Sequence, residues 1–79
     1  MSDEVNKLSR TPTLSEIRET WPAAVGVPEA AAAFGLSRSH AYELIARGEF
    51  PARVLRVGSR YRVVTASIIT TLSDDRDVL

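Results

Sequence analysis

Six arginines, Arg38, Arg47, Arg53, Arg56, Arg60 and Arg62, fall in one stretch of the chain whose only acids are Glu43 and Glu49. A guanidinium is permanently charged, planar and forked, so it matches the oxygens of a phosphate closely. The chain as a whole has a formal net charge of zero. A polyanion responds to the local field rather than to that sum. The balancing acids lie mainly toward the two ends: Asp3, Glu4, Glu16, Glu19 and Glu29 before the stretch, Asp74, Asp75 and Asp77 after it. The bland alternative is a solvated surface on which arginines cluster by chance.

Other chemistry has little to work with. His40 is the only histidine and there is no cysteine. Catalysis at His40 would need an acid or nucleophile placed beside it. Ser39 and Ala41 point away at helical spacing, and Glu43 three residues on makes an ordinary surface pair. A disulfide or thiolate-zinc framework is excluded outright. No catalytic residue, no metal and no cofactor is therefore expected, and the chain does not read as an enzyme. The polar start, MSDEVNKLSRTP, lacks the apolar region of a secretory signal. No apolar run approaches the ~20 residues of a membrane helix. The expected setting is the bacterial cytoplasm, with no membrane partner.

These residues need a scaffold, and 79 residues allow one domain at most. Residues 1–12 show no periodicity and read as a flexible arm. An accessory helix is expected over 13–21: Thr13 with Glu16 has capping-box spacing, Leu14, Ile17 and Trp21 share a face, and Pro22 stops the run. That helix is too short to persist alone, and Trp21 is its expected anchor. Residues 23–27 read as an extended connector. A second helix is expected over 28–34, with Pro28 first and the alanines Ala30–Ala33 inside it, closed at Gly35. Ser37 then caps a third helix over 38–47, with Ala41, Leu44 and Ile45 on one face and Gly48 as its stop. Two helices joined by so short a glycine turn must cross steeply. The order Ala31, Gly35, Leu36, Ala41, Leu44 supplies the small residue, turn and anchors that such a crossing needs.

Residues 53–64 read as a hairpin, or wing. A three-residue loop, Gly58-Ser59-Arg60, would face Val57 to Tyr61 and Leu55 to Val63, and pair Arg56 with Arg62 on the other side. Thr65 then caps a last helix over 66–72, with Ile68 and Leu72 inward. An acidic tail covers 73–79. The fold class is mainly α with a small β-hairpin.

The stretch from Val27 to Ile68 resembles the MerR-type winged helix-turn-helix of excisionase-like DNA-binding proteins. Glu29-Ala30-Ala31, Gly35-Leu36-Ser37-Arg38-Ser39, Tyr42-Glu43-Leu44-Ile45, Arg47-Gly48-Glu49-Phe50-Pro51 and Val57-Gly58-Ser59-Arg60-Tyr61-Arg62-Val63 carry the likeness. It covers roughly residues 27 to 72. One departure is Val64-Thr65-Ala66-Ser67, where the family often has a proline or charged residues. The accessory helix lies outside the likeness. The resemblance implies that the third helix is a recognition helix in the major groove. Ser37, Arg38, Ser39, His40, Tyr42, Glu43 and Arg47 would then face DNA from it, and Arg53, Arg56, Ser59, Arg60 and Arg62 from the wing.

The implied role is that of a recombination directionality factor. It would bind adjacent sites beside other copies of itself, bend double-stranded DNA and help an integrase assemble. A transcriptional regulator carrying the same module is the alternative, and a protein-interaction adaptor using the Leu14, Ile17 and Trp21 face is a third reading. A module of this size, without a long dimerising helix or effector domain, should bind weakly as one copy. The DNA readings require the arginines of the third helix and of the wing to converge on one side of the molecule.

Overall fold

The computed structural model describes residues 11–73. Residues 1–10 of the expected arm and 74–79 of the acidic tail lie outside the described residues. Within them the chain forms α1 (Leu14–Thr20), β1 (Ala24–Val25), α2 (Val27–Ala33), α3 (Arg38–Arg47), β2 (Val54–Val57), β3 (Arg60–Val64) and α4 (Thr65–Leu72).

The capping box that opens α1 is present in both directions. Glu16 N–H donates to Thr13 Oγ1 at 3.1 Å, and Thr13 N–H donates to Glu16 Oε1 at 2.8 Å. Ile17, fully buried, is the anchor of this helix. Trp21 is only half-buried and packs at the border of the same core. The reason is position: Trp21 is the C-cap, in an extended conformation, so its side chain leaves the helical face. Ile17 docks α1 on the chain's own core, and Leu14 and Trp21 remain partly exposed beside it.

Both helices of the crossing end in the same device. Gly35 takes φ +70°, Gly35 N–H donates to Ala32 O at 3.1 Å, and Leu36 N–H reaches Ala31 O at 2.9 Å. Gly48 takes φ +74°, with Gly48 N–H to Ile45 O at 3.0 Å and Glu49 N–H to Leu44 O at 2.8 Å. This is the Schellman closure, whose left-handed residue favours glycine. Between the closures Ala31 and Ala41 lie buried with Val27. Leu36 and Ile45 pack over that cluster, while Leu44 stays half-buried at its side. The second helix begins at Val27, one residue before Pro28, with Gly26 as its N-cap.

The sheet has three strands in the order β1-β3-β2, antiparallel throughout. The expected connector thus contains a strand, since Ala24 pairs with Val64 and Val25 with Val63. In the hairpin, Val57 pairs with Arg60, Arg56 with Tyr61, Leu55 with Arg62 and Val54 with Val63. The loop is therefore Gly58-Ser59 alone, one residue shorter than expected. Gly58, at φ +63° with no other residue of the turn positive, supplies the conformation that a two-residue hairpin loop demands. A one-residue slip exchanges the faces. Val54 and Arg56 now share a face with Tyr61 and Val63, and Leu55 and Val57 lie outward with Arg60 and Arg62.

Thr65 does not cap α4. The helix includes it, and Val64 occupies the cap position without a side-chain bond. Thr65 is buried, its hydroxyl donates to Pro22 O at 2.5 Å and its N–H to Ala23 O at 2.9 Å. It ties the α1–β1 linker to the start of α4. Ile68, buried, and Leu72, half-buried, point into the main core with Ile17, Val25, Ala30, Ala33 and Val63. Phe50 borders both clusters and meets Phe34 edge-on, with ring centroids 5.8 Å apart. Four helices around a small sheet, two of them crossing at a glycine turn and followed by a hairpin, make a winged helix-turn-helix.

If α1 is part of the folding unit, Ile17→Ala should remove roughly 2–5 kcal/mol of unfolding free energy in urea. An unchanged midpoint would mean that α1 is an appendage.

Candidate nucleic-acid interface

Ser37 fixes the start of α3: its Oγ accepts the His40 N–H at 3.1 Å. Ala41 is buried against α2, so helical geometry turns the remaining positions outward. Arg38 and Tyr42 form one row on that exposed side, and Ser39, Glu43 and Arg47 form the next. Arg38, Ser39, His40, Tyr42, Glu43 and Arg47 are all exposed. α3 thus presents each of these side chains to solvent.

Their charges are not equivalent. Arg47 lies 3.8 Å from both Glu43 and Glu49, in exposed pairs. Such pairs hold little energy in water, yet two carboxylates beside one guanidinium cancel its positive field. Arg38 has no such carboxylate among the described residues. The positive end of α3 is its first turn.

The wing divides its arginines between two faces. Arg56 is on the face that carries Tyr61 and Val63, toward the helices. Its guanidinium carbon lies 5.8 Å from the Tyr61 ring centre, and its Nε donates to Gly58 O at 3.4 Å. The Tyr61 ring in turn meets Tyr42 of α3, with centroids 6.5 Å apart at 57°. A continuous path of side chains therefore joins the wing to α3. From the sequence, Tyr61 is expected opposite Val57, with no link to α3. The signal that could have found it was the two-residue loop, which sets Tyr61 opposite Arg56.

Arg60 and Arg62 occupy the opposite face, beside Leu55 and Val57. Arg62 is half-buried, and its Nη2 donates to the Ala24 carbonyl at 3.3 Å. The expected Arg56–Arg62 pair does not form, because the register moves the two to different sides. Arg53 is exposed at the base of the wing; its N–H donates to Ser67 Oγ at 2.8 Å, and its carbonyl accepts the Val64 N–H at 3.0 Å. Ser59 and Arg60 stand exposed at the tip. Convergence on one side is therefore partial. The exposed rows of α3 and Arg56 share a side, joined through the two tyrosines, whereas Arg60 and Arg62 flank the far face of the ribbon.

A ribbon with cations on both faces can contact an anionic backbone on either flank. A short helix rich in hydrogen-bonding side chains can read base edges or phosphates. No helix among the described residues is long and apolar enough to cross a membrane.

A family model described as "Helix-turn-helix domain" matches residues 25–70. Among curated proteins and among solved structures, none matches the chain.

The hydrogen bond from Arg62 to β1 makes a structural contribution separate from any ligand. Arg62→Ala should lower the thermal midpoint, by an amount equivalent to about 1 kcal/mol. An unaltered melting curve would show the contact to be idle.

Proposed function

The chain belongs to the helix-turn-helix domain family, and from that premise we propose that it is an excisionase-like recombination directionality factor acting on double-stranded DNA without catalysis. The observation that carries the DNA-binding part of this reading is the joined surface of α3 and Arg56. Arg38 and Ser39 sit in the first turn of α3, exposed, where a recognition helix meets base edges. Arg38 has the fork for a guanine edge, and Tyr42 a hydroxyl suited to a phosphate. His40 and Glu43 border that contact, and Ser37 is its helix cap. Arg47, shared between two glutamates, contributes orientation more than charge. Arg53, Arg56, Ser59, Arg60 and Arg62 would form the wing contacts, with Arg62 restricted by its bond to β1.

The directionality role draws on the resemblance of the motifs and on size. A domain this small covers on the order of 600–1,000 Å² of DNA, and its hold is salt-sensitive. Useful occupancy then comes from copies bound side by side or from a tethered partner such as an integrase. Bending of the duplex between adjacent copies would bring distant sites together for recombination. Such a role has its place in the bacterial cytoplasm, on the nucleoid.

The test is selection of bound duplexes from random sequence, followed by titration of the selected site. Arg38→Ala should weaken binding by about 1–3 kcal/mol and relax base preference at one position. Added copies should appear as successive bands at regular site spacing, with increasing bend. Equal affinity of wild type and Arg38→Ala would remove α3 as the reader. A single band on tandem sites, with no bend, would leave a DNA-binding regulator without the directionality role.

A further inference from the structure

Tyr61 stands between two elements that a duplex would touch together. One side of its surroundings is the Tyr42 ring on α3, 6.5 Å away. The other is the Arg56 guanidinium, 5.8 Å from the ring centre. Tyr61 is itself half-buried and packs on the Val27, Ala31 and Ala41 cluster, the crossing point of the helix-turn-helix. The ring is therefore held by the core of the module and not by the wing alone.

Arg56 is held at two points. The ring face attracts its charge, and Nε is engaged by the Gly58 carbonyl. Neither terminal nitrogen has a partner among the described residues. This arrangement differs from that of Arg62, whose Nη2 is bound to Ala24, and from that of Arg47, which sits between two carboxylates. An arginine ordered along its stem with its terminal donors unengaged is organised for an anion before the anion arrives. Tyr42, whose ring meets Tyr61 from α3, is 43% exposed.

We propose that Tyr61 is a positioning residue: its ring holds the Arg56 guanidinium level with α3, so that Arg56 and the Tyr42 hydroxyl meet phosphate oxygens of one nucleic-acid backbone. Tyr61 need not touch that backbone. The inference rests on the DNA-binding reading above and adds to it a defined phosphate contact where wing and helix meet. It also makes the wing arginine depend on a residue of the opposite strand.

The experiment uses the full chain, a random-sequence duplex and binding isotherms over a range of salt concentrations. Arg56→Ala should weaken binding about fivefold and lower the salt slope by about one contact. Tyr61→Leu, which keeps apolar bulk but has no ring face, should reproduce most of both changes. Tyr61→Phe should stay within about twofold of wild type, because the ring is retained. Adding Arg56→Ala to Tyr61→Leu should cost less than twofold more, since the arginine is already displaced. If Tyr61→Leu keeps the wild-type slope and Arg56→Ala costs its full fivefold in that background, the positioning role is wrong and DNA binding stands. If the wild-type chain binds no duplex at low ionic strength, the DNA-binding reading fails and the phosphate contact with it. A measurement on the free wild-type chain covers the case in which Tyr61→Leu does not fold. The Arg56 δ-protons should show an upfield ring-current shift in the NMR spectrum. Random-coil shifts there would overturn the proposal without any variant or ligand.

Discussion

The molecule depends on how closely α2 and α3 approach each other. Ala31 and Ala41 are both buried in one cluster at the crossing, where small side chains let two helices lie close together. Larger side chains would force the helices apart, at a typical cost of 1–3 kcal/mol for overpacking. Gly35 turns the chain directly from one helix toward the other, and Ser37 starts the second almost at once. The direction of α3, and with it the exposure of Arg38, Ser39, His40 and Tyr42, follows from that approach.

The sheet extends the same constraint to the wing. β3 is its central strand, paired with β1 on one side and β2 on the other. Val63 drives β3 into the main core while Tyr61, two residues earlier on the same face, packs over the helix crossing. The wing therefore takes its orientation from the core that orients α3. Thr65 then binds the α1–β1 linker through its hydroxyl and its N–H. That contact closes the small core from behind and gives α1 a surface on which seven residues can remain helical. With few residues available, each contact serves both stability and the placement of the exposed face.

Local chemistry was legible in the chain; pairing between distant segments was not. The capping box at Thr13, the Ser37 cap and the two glycine closures are each encoded within a few residues, so type and spacing sufficed. The alanines of the crossing were legible because small residues at those positions have few other uses. The hairpin register differs by one residue because the sequence pattern puts Leu55 and Val57 on the inward face. Leu55 and Val57 are instead 38% and 59% exposed; Val63 and Tyr61 decide which face is buried. β1 leaves no trace in the sequence because two residues carry no periodicity and become a strand only against β3. Residue type makes Thr65 look like a cap, whereas its bonds go to Pro22 and Ala23, over 40 residues away in the chain. For the site, residue type identified the basic stretch, but only register assigns Arg56 to the helix side and Arg62 to the other.

α3 and the helix-facing side of the wing are proposed as one surface that meets DNA. Its most direct test is NMR titration of the full chain with a short duplex at low ionic strength. The largest shift changes should fall on Arg38, Ser39, His40, Tyr42 and Arg56, while Ile17, Arg18 and Trp21 stay in place. Changes centred on α1, or none at saturating duplex, would contradict it.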